Sequence, residues 1–91
     1  MKVKVRLWGI FQEIVGEREL TIDTRTGATI GDLFNQLISS YGTKFGEELF
    51  QPGTRKIRPY VKVLLNGHGA NPSAKLREGD VVAIFPPVGG G

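Results

Sequence analysis

One long helical pattern stands in a chain whose other long regular segments read as strands, and that imbalance constrains the fold more than any other feature. Ile30, Leu33, Phe34, Leu37, Ile38 and Tyr41 recur at three-and-four spacing, with Asn35, Gln36, Ser39 and Ser40 opposite them. Thr29 fits the N-cap. Asp32 completes a carboxylate variant of the capping box and suits the positive end of the helix dipole, and Gly42 fits the C′ position. Such a helix must bury its stripe, and the surface available to it is one face of a sheet.

The strands follow from alternation. Val3, Val5 and Leu7 share one face of the first segment, with Lys4, Arg6 and Trp8 on the other; Gly9 ends it. Ile10, Phe11, Ile14 and Val15 give a short helical connection closed by Gly16. Leu20 and Ile22 against Glu19, Thr21 and Asp23 then make a second strand, hairpin-paired with the first. Phe45–Phe50 reads as a turn of helix, and Gln51-Pro52-Gly53-Thr54 as a turn. Pro59 opens a β-branched strand over Tyr60–Leu65, ended by the tight-turn pair Asn66-Gly67, and His68–Ser73 reads as loop. Val81-Val82-Ala83-Ile84-Phe85 is apolar without alternation, which places it inside the sheet between other strands. The reading is α+β: a mixed four- to five-stranded sheet with one main helix across one face, the β-grasp arrangement.

At 91 residues the chain has room for one core, read as a domain over 1–85 and a tail over 86–91. It has no cysteine, which removes disulfides, thiolate metal sites and cysteine nucleophiles together. Met1–Arg6 lacks the apolar core of a signal peptide, and no apolar run approaches the roughly 20 residues of a membrane span, so a cytoplasmic protein with no membrane partner is expected. Twelve Lys and Arg against nine Asp and Glu leave a net charge of +3, a weak field for a nucleic-acid binder. His68 is the single histidine and has no neighbouring carboxylate, so no metal site is expected. Arg55, Lys56, Arg58 and Lys62 form a basic stretch whose plain reading is a solvated loop and whose alternative is a docking surface for an acidic partner. Glu13, Glu17 and Glu19 read as solvated surface.

The ending Phe85-Pro86-Pro87-Val88-Gly89-Gly90-Gly91 carries the chemistry. Two prolines stop the sheet and force an extended exit, and the six residues from Pro86 span about 20 Å at about 3.3 Å each. Three glycines then carry a carboxylate on a thread with no Cβ to widen it. A carboxylate is a poor electrophile until adenylated, after which it accepts a nucleophile such as sulfide. The plainer reading is a glycine tail without a role.

The stretch Leu76–Val88 with the following glycines closely resembles the ending of the small subunit of molybdopterin synthase (the MoaD family), among the ThiS-type ubiquitin-like sulfur carriers. The opening strand Val3–Trp8, the Phe11–Gly16 turn, the helix Thr29–Tyr41 and the stretch Arg58–Gly67 match as well. The resemblance implies that Gly91 is adenylated with ATP by a MoeB/ThiF-like enzyme and converted to a thiocarboxylate by a sulfur-donor system. It implies that the tail then enters the active site of a MoaE-like large subunit in a heterotetramer, giving its sulfur to the cyclic pyranopterin precursor of molybdopterin. Gly90 would sit beside Gly91 in that tunnel. Phe85, Pro86, Pro87, Val88 and Gly89 would set the exit and touch partners, and Trp8 would pack on the large subunit.

The same resemblance makes this chain the sulfur-donating, non-catalytic subunit. No cofactor of its own is expected; with no Walker-type loop, ATP is expected to be bound by the partner. The family usually ends in two glycines, and Gly89 adds a third. Related carriers serve thiamine synthesis or tRNA thiolation, or are joined to protein lysines, so a ubiquitin-like modifier is the second reading. A stand-alone enzyme is the third, because no nucleophile–base pair is legible.

Overall fold

Alternation decides the two faces of the sheet. In the computed structural model, which describes residues 1–87, strand β1 (Lys2–Leu7) buries Val3, Val5 and Leu7 and exposes Lys2, Lys4 and Arg6. Helix α1 (Gly9–Val15) follows, buries Phe11 and stops at Gly16, which has a left-handed φ of 91° and whose amide donates a hydrogen bond to Gln12 O. Strand β2 (Glu19–Asp23) returns antiparallel to β1, with Arg6 opposite Glu19 and Lys2 opposite Asp23. The expected hairpin with a helical connection is present.

Helix α2 (Ile30–Tyr41) begins at Thr29 with both arms of the capping box formed. The Asp32 amide donates to Thr29 Oγ1 at 3.1 Å, and the Thr29 amide donates to Asp32 Oδ2 at 2.9 Å. Ile30, Leu33, Phe34 and Leu37 are buried in one cluster with Val3, Val5 and Leu7. Helix α3 (Thr43–Leu49) runs for seven residues, longer than the single turn read from the sequence. Its Phe45 packs 5.3 Å from the Phe11 ring, and Phe50 just beyond it meets the Phe34 ring edge-on at 6.2 Å. The fully buried rings of Phe11, Phe34 and Phe45 each contribute roughly 1.5–3 kcal/mol relative to exposure.

Strand β3 (Lys62–Leu65) starts two residues later than the sequence pattern suggests. The reason is local: Pro59 takes the second position of a turn closed by the Val61 amide on Arg58 O at 3.0 Å, and Tyr60 is left 80% exposed. Asn66 (φ 52°) and Gly67 (φ 85°) make the tight turn expected of that pair. The residues after it, read as loop, form the two-residue strand β4 (His68–Gly69) against Leu64 and Leu65. Strand β5 (Val81–Phe85) lies between β1, parallel, and β3, antiparallel, giving the order β2-β1-β5-β3-β4. Its interior position and the mixed five-stranded sheet agree with the sequence reading. Among the described residues no helix is long and apolar enough to cross a membrane. Val88, Gly89, Gly90 and Gly91 lie outside the described residues.

Candidate functional site

Val82 and Ile84 of β5 are fully buried on the helix side, while Val81, Ala83 and Phe85 point to the other face and are only half-buried. That open face has two halves. On the β1–β2 side it carries Lys2, Lys4, Arg6, Glu19 and Asp23, with Arg6 3.4 Å from Glu19 and the amino terminus 3.4 Å from Asp23. On the β5–β3 side it is mostly apolar, through Val81, Ala83, Phe85 and Leu64, with the exposed Lys62 opposite Phe85. An apolar half-face bordered by charge suits docking of another protein.

The two aromatic residues singled out in the sequence are brought together there. Register continues past the ladder: Leu7 pairs with Ile84, and the next residues, Trp8 and Phe85, stack at 4.2 Å between centroids and 14° between planes. Beside the stack, Tyr60, Lys62, Leu64, Phe85 and Pro86 line a groove of about 350 Å³. Pro86 is half-buried at its edge and Pro87 is exposed, so the chain leaves the sheet on this side of the molecule. The roles given to Val88, Gly89, Gly90 and Gly91 concern positions outside the described residues.

Sequence reasoning missed Arg18, whose guanidinium lies 5.2 Å from the Trp8 centroid and whose Nε donates to Gln12 Oε1 at 3.0 Å. It lies on the connection before β2, and no spacing rule links it to Trp8. Tyr60, whose β-propensity suggests a strand position, is a rim residue instead. Gly9 was read as a strand breaker, yet a Cβ there would stand 2.5 Å from Pro86 Cγ.

The basic stretch does not form one patch. Lys62 belongs to the open face. Arg55 bonds Asn35 and lies 4.7 Å from the Phe50 ring centroid, and Arg58 Nε donates to Glu47 O at 2.9 Å. Arg55, Lys56 and Arg58 instead border a separate groove of about 500 Å³ floored by Val61, Val63 and Ala70. His68 is exposed on β4, and among the described residues no group of three or more His, Asp or Glu is gathered as a metal site.

The sequence matches the ThiS family over residues 5–91. It is 34% identical to small archaeal modifier protein 3 of Haloferax volcanii, and 30% identical to the molybdopterin synthase sulfur carrier subunit of Chlamydomonas reinhardtii. Each alignment covers all of both chains. The crystal structure of SAMP1 from Haloferax volcanii superposes on this chain with a TM-score of 0.87 at 27% identity, again over the whole of both. The open face beside the carboxyl-terminal exit is thus found on a ubiquitin-like β-grasp, and the chain belongs to the ThiS family of ubiquitin-like sulfur carriers.

Proposed function

We propose that this chain carries sulfur as a thiocarboxylate on Gly91 and gives it to the cyclic pyranopterin precursor, as the small subunit of a molybdopterin synthase. The observation that carries the reading is the family match running through Gly91, together with whole-chain similarity to a molybdopterin synthase sulfur carrier subunit. The chemistry has three steps. The Gly91 carboxylate attacks the α-phosphorus of ATP on a MoeB/ThiF-like enzyme and pyrophosphate leaves. Sulfide delivered by a sulfur-donor system then attacks the acyl carbon and AMP leaves, which gives the thiocarboxylate. In the third step the thiocarboxylate sulfur bonds to an acceptor carbon as an oxygen substituent leaves it, and water then cleaves the acyl–sulfur bond, restoring the Gly91 carboxylate and leaving the sulfur on the acceptor.

This chain's part is delivery. Trp8 and Phe85 form a rigid apolar platform for the partner, and the neighbouring groove accepts an apolar side chain. Pro86 and Pro87 lack amide hydrogens, so the exit cannot rejoin the sheet, and Val88 and Gly89 lead to Gly90 and Gly91. Glycine at the last positions admits a narrow tunnel in a MoaE-like large subunit, where the catalytic groups would lie; two copies of each subunit make the heterotetramer. ATP is bound by the adenylating enzyme.

A second reading has a specific observation behind it. Small archaeal modifier protein 3 is similar over the whole chain, which supports transfer of the same acyl adenylate to a lysine amine with loss of AMP. Intact-mass analysis of the protein isolated from its own cells separates the two. Replacement of one terminal oxygen by sulfur is expected for the carrier. A chain found only in isopeptide linkage to other proteins overturns the carrier reading in favour of the modifier.

A further inference from the structure

The contact between Gly9 and Pro86 extends the β1–β5 register one pair beyond the Trp8–Phe85 stack. Parallel pairing runs Lys4–Val81, Val5–Val82, Arg6–Ala83, Leu7–Ile84; Trp8 and Phe85 continue it by stacking, and Gly9 and Pro86 by direct packing. Pro86 can donate no ladder hydrogen bond, because proline has no amide hydrogen. Packing around its ring therefore weighs more in fixing its direction, and part of that packing is the bare Cα of Gly9. A Cβ built on Gly9 would lie 2.5 Å from Pro86 Cγ, 3.4 Å from its Cβ and 3.6 Å from its Cδ. The first distance is far inside van der Waals contact, and the atom met belongs to a stiff ring. Gly9 also sits at φ +57°, where its backbone turns from β1 into α1.

We propose that Gly9 is a positioning residue for the carboxyl-terminal exit: its missing side chain seats the Pro86 ring and so sets the direction in which the chain leaves the sheet at Pro86 and Pro87. The inference rests on the proposed use of Gly91 as the group delivered to a partner's catalyst. The direction of exit at Pro86 decides where a partner meets the segment that carries Gly91, and a displacement of about 1 Å at a reacting centre can cost on the order of a hundredfold in rate. Gly9 is therefore expected to act on the delivery step while leaving the Trp8–Phe85 platform able to bind.

The test uses three variants of the full chain: Gly9→Ala, Pro86→Gly and the two combined. The fraction of protein bearing a terminal thiocarboxylate is read by intact mass, alongside the affinity for the adenylating enzyme. Gly9→Ala is expected to lower the rate of thiocarboxylate formation by about tenfold or more with affinity changed by less than about twofold. Pro86→Gly, which leaves Gly9 untouched, is expected to lose rate as well and to erase the Gly9–Pro86 proton–proton contacts in NMR spectra. In the double variant the added methyl has no ring to strike, so its rate should equal that of Pro86→Gly alone. Wild-type rates in Gly9→Ala or Pro86→Gly overturn the proposal. So does a further loss in the double variant, which would mean that Gly9 matters only for its backbone turn. A wild-type chain that never acquires sulfur overturns the proposed function instead, and the two failures are told apart by that control.

Discussion

The two faces of one strand carry opposite assignments. Val82 and Ile84 of β5 are sealed under the helices, whereas Val81, Ala83 and Phe85, equally apolar, look outward and remain half-exposed. In β1 the outward positions are Lys2, Lys4 and Arg6, which is what a solvated face requires. The difference teaches that the outward apolar positions of β5 are not needed to specify the sheet, since β1 does so with charge. They make sense as contact surface for something outside the chain, next to the point where the carboxyl-terminal segment leaves.

If that division is right, damage to the buried side should read as stability and damage to the open side as binding. The largest effect is expected from Phe34→Ala, which empties the centre of the covered side and should cost about 3–5 kcal/mol in urea unfolding. A loss below about 1 kcal/mol would mean the helix is not the lid it is taken to be. Trp8→Glu comes next. It gives up the Phe85 stack, about 1 kcal/mol of folding stability, while affinity for the proposed partners, the adenylating enzyme and the large subunit, should fall about tenfold or more. Titration calorimetry beside a thermal melt checks both, and a chain that unfolds would move Trp8 to the core side of the comparison.

A smaller effect tests the fixing of the lid. Thr29→Ala removes one arm of the capping box and should cost about 1 kcal/mol. The bond from the Thr29 backbone, aided by the Thr29 side chain and the Arg25 guanidinium, holds the Asp32 carboxyl below its ordinary value. Its folded value being depressed, its contribution is complete above the unfolded aspartate value of about 4 and disappears as pH falls from there through the folded one. The difference in urea midpoint between wild type and Asp32→Asn should therefore shrink on acidification below that value, and a gap that grows would reverse the sign. The smallest effect belongs to the charged half of the open face, where Arg6→Ala breaks an exposed pair with Glu19 and should change stability by less than about 0.5 kcal/mol.

What the sequence made legible was whatever depends on neighbours in the chain. The α2 stripe, its Thr29–Asp32 cap and the Asn66-Gly67 turn are local patterns with local causes. The interior position of β5 was legible because a strand apolar on both faces has few other places to go. Tyr60 was misassigned because its β-propensity was outweighed by the turn that Pro59 sets two residues ahead of β3. His68–Gly69 was passed over because two residues make no period, and only the Leu64–Leu65 edge turns them into a strand. At the site, Trp8 and Phe85 could be named individually, but their stacking follows from parallel register between distant segments. Arg18 over Trp8 and the Gly9–Pro86 contact are likewise tertiary facts, without a spacing that could announce them.

The central claim, that the end of this chain is its reactive group, is tested most directly by adding one alanine after Gly91 and measuring sulfur transfer by the assembled proteins. The account predicts that transfer is abolished while the thermal melt and the affinity of the Trp8–Phe85 face for its partner stay at wild-type values. Transfer that persists in an extended chain, with the added residue still attached, would contradict it.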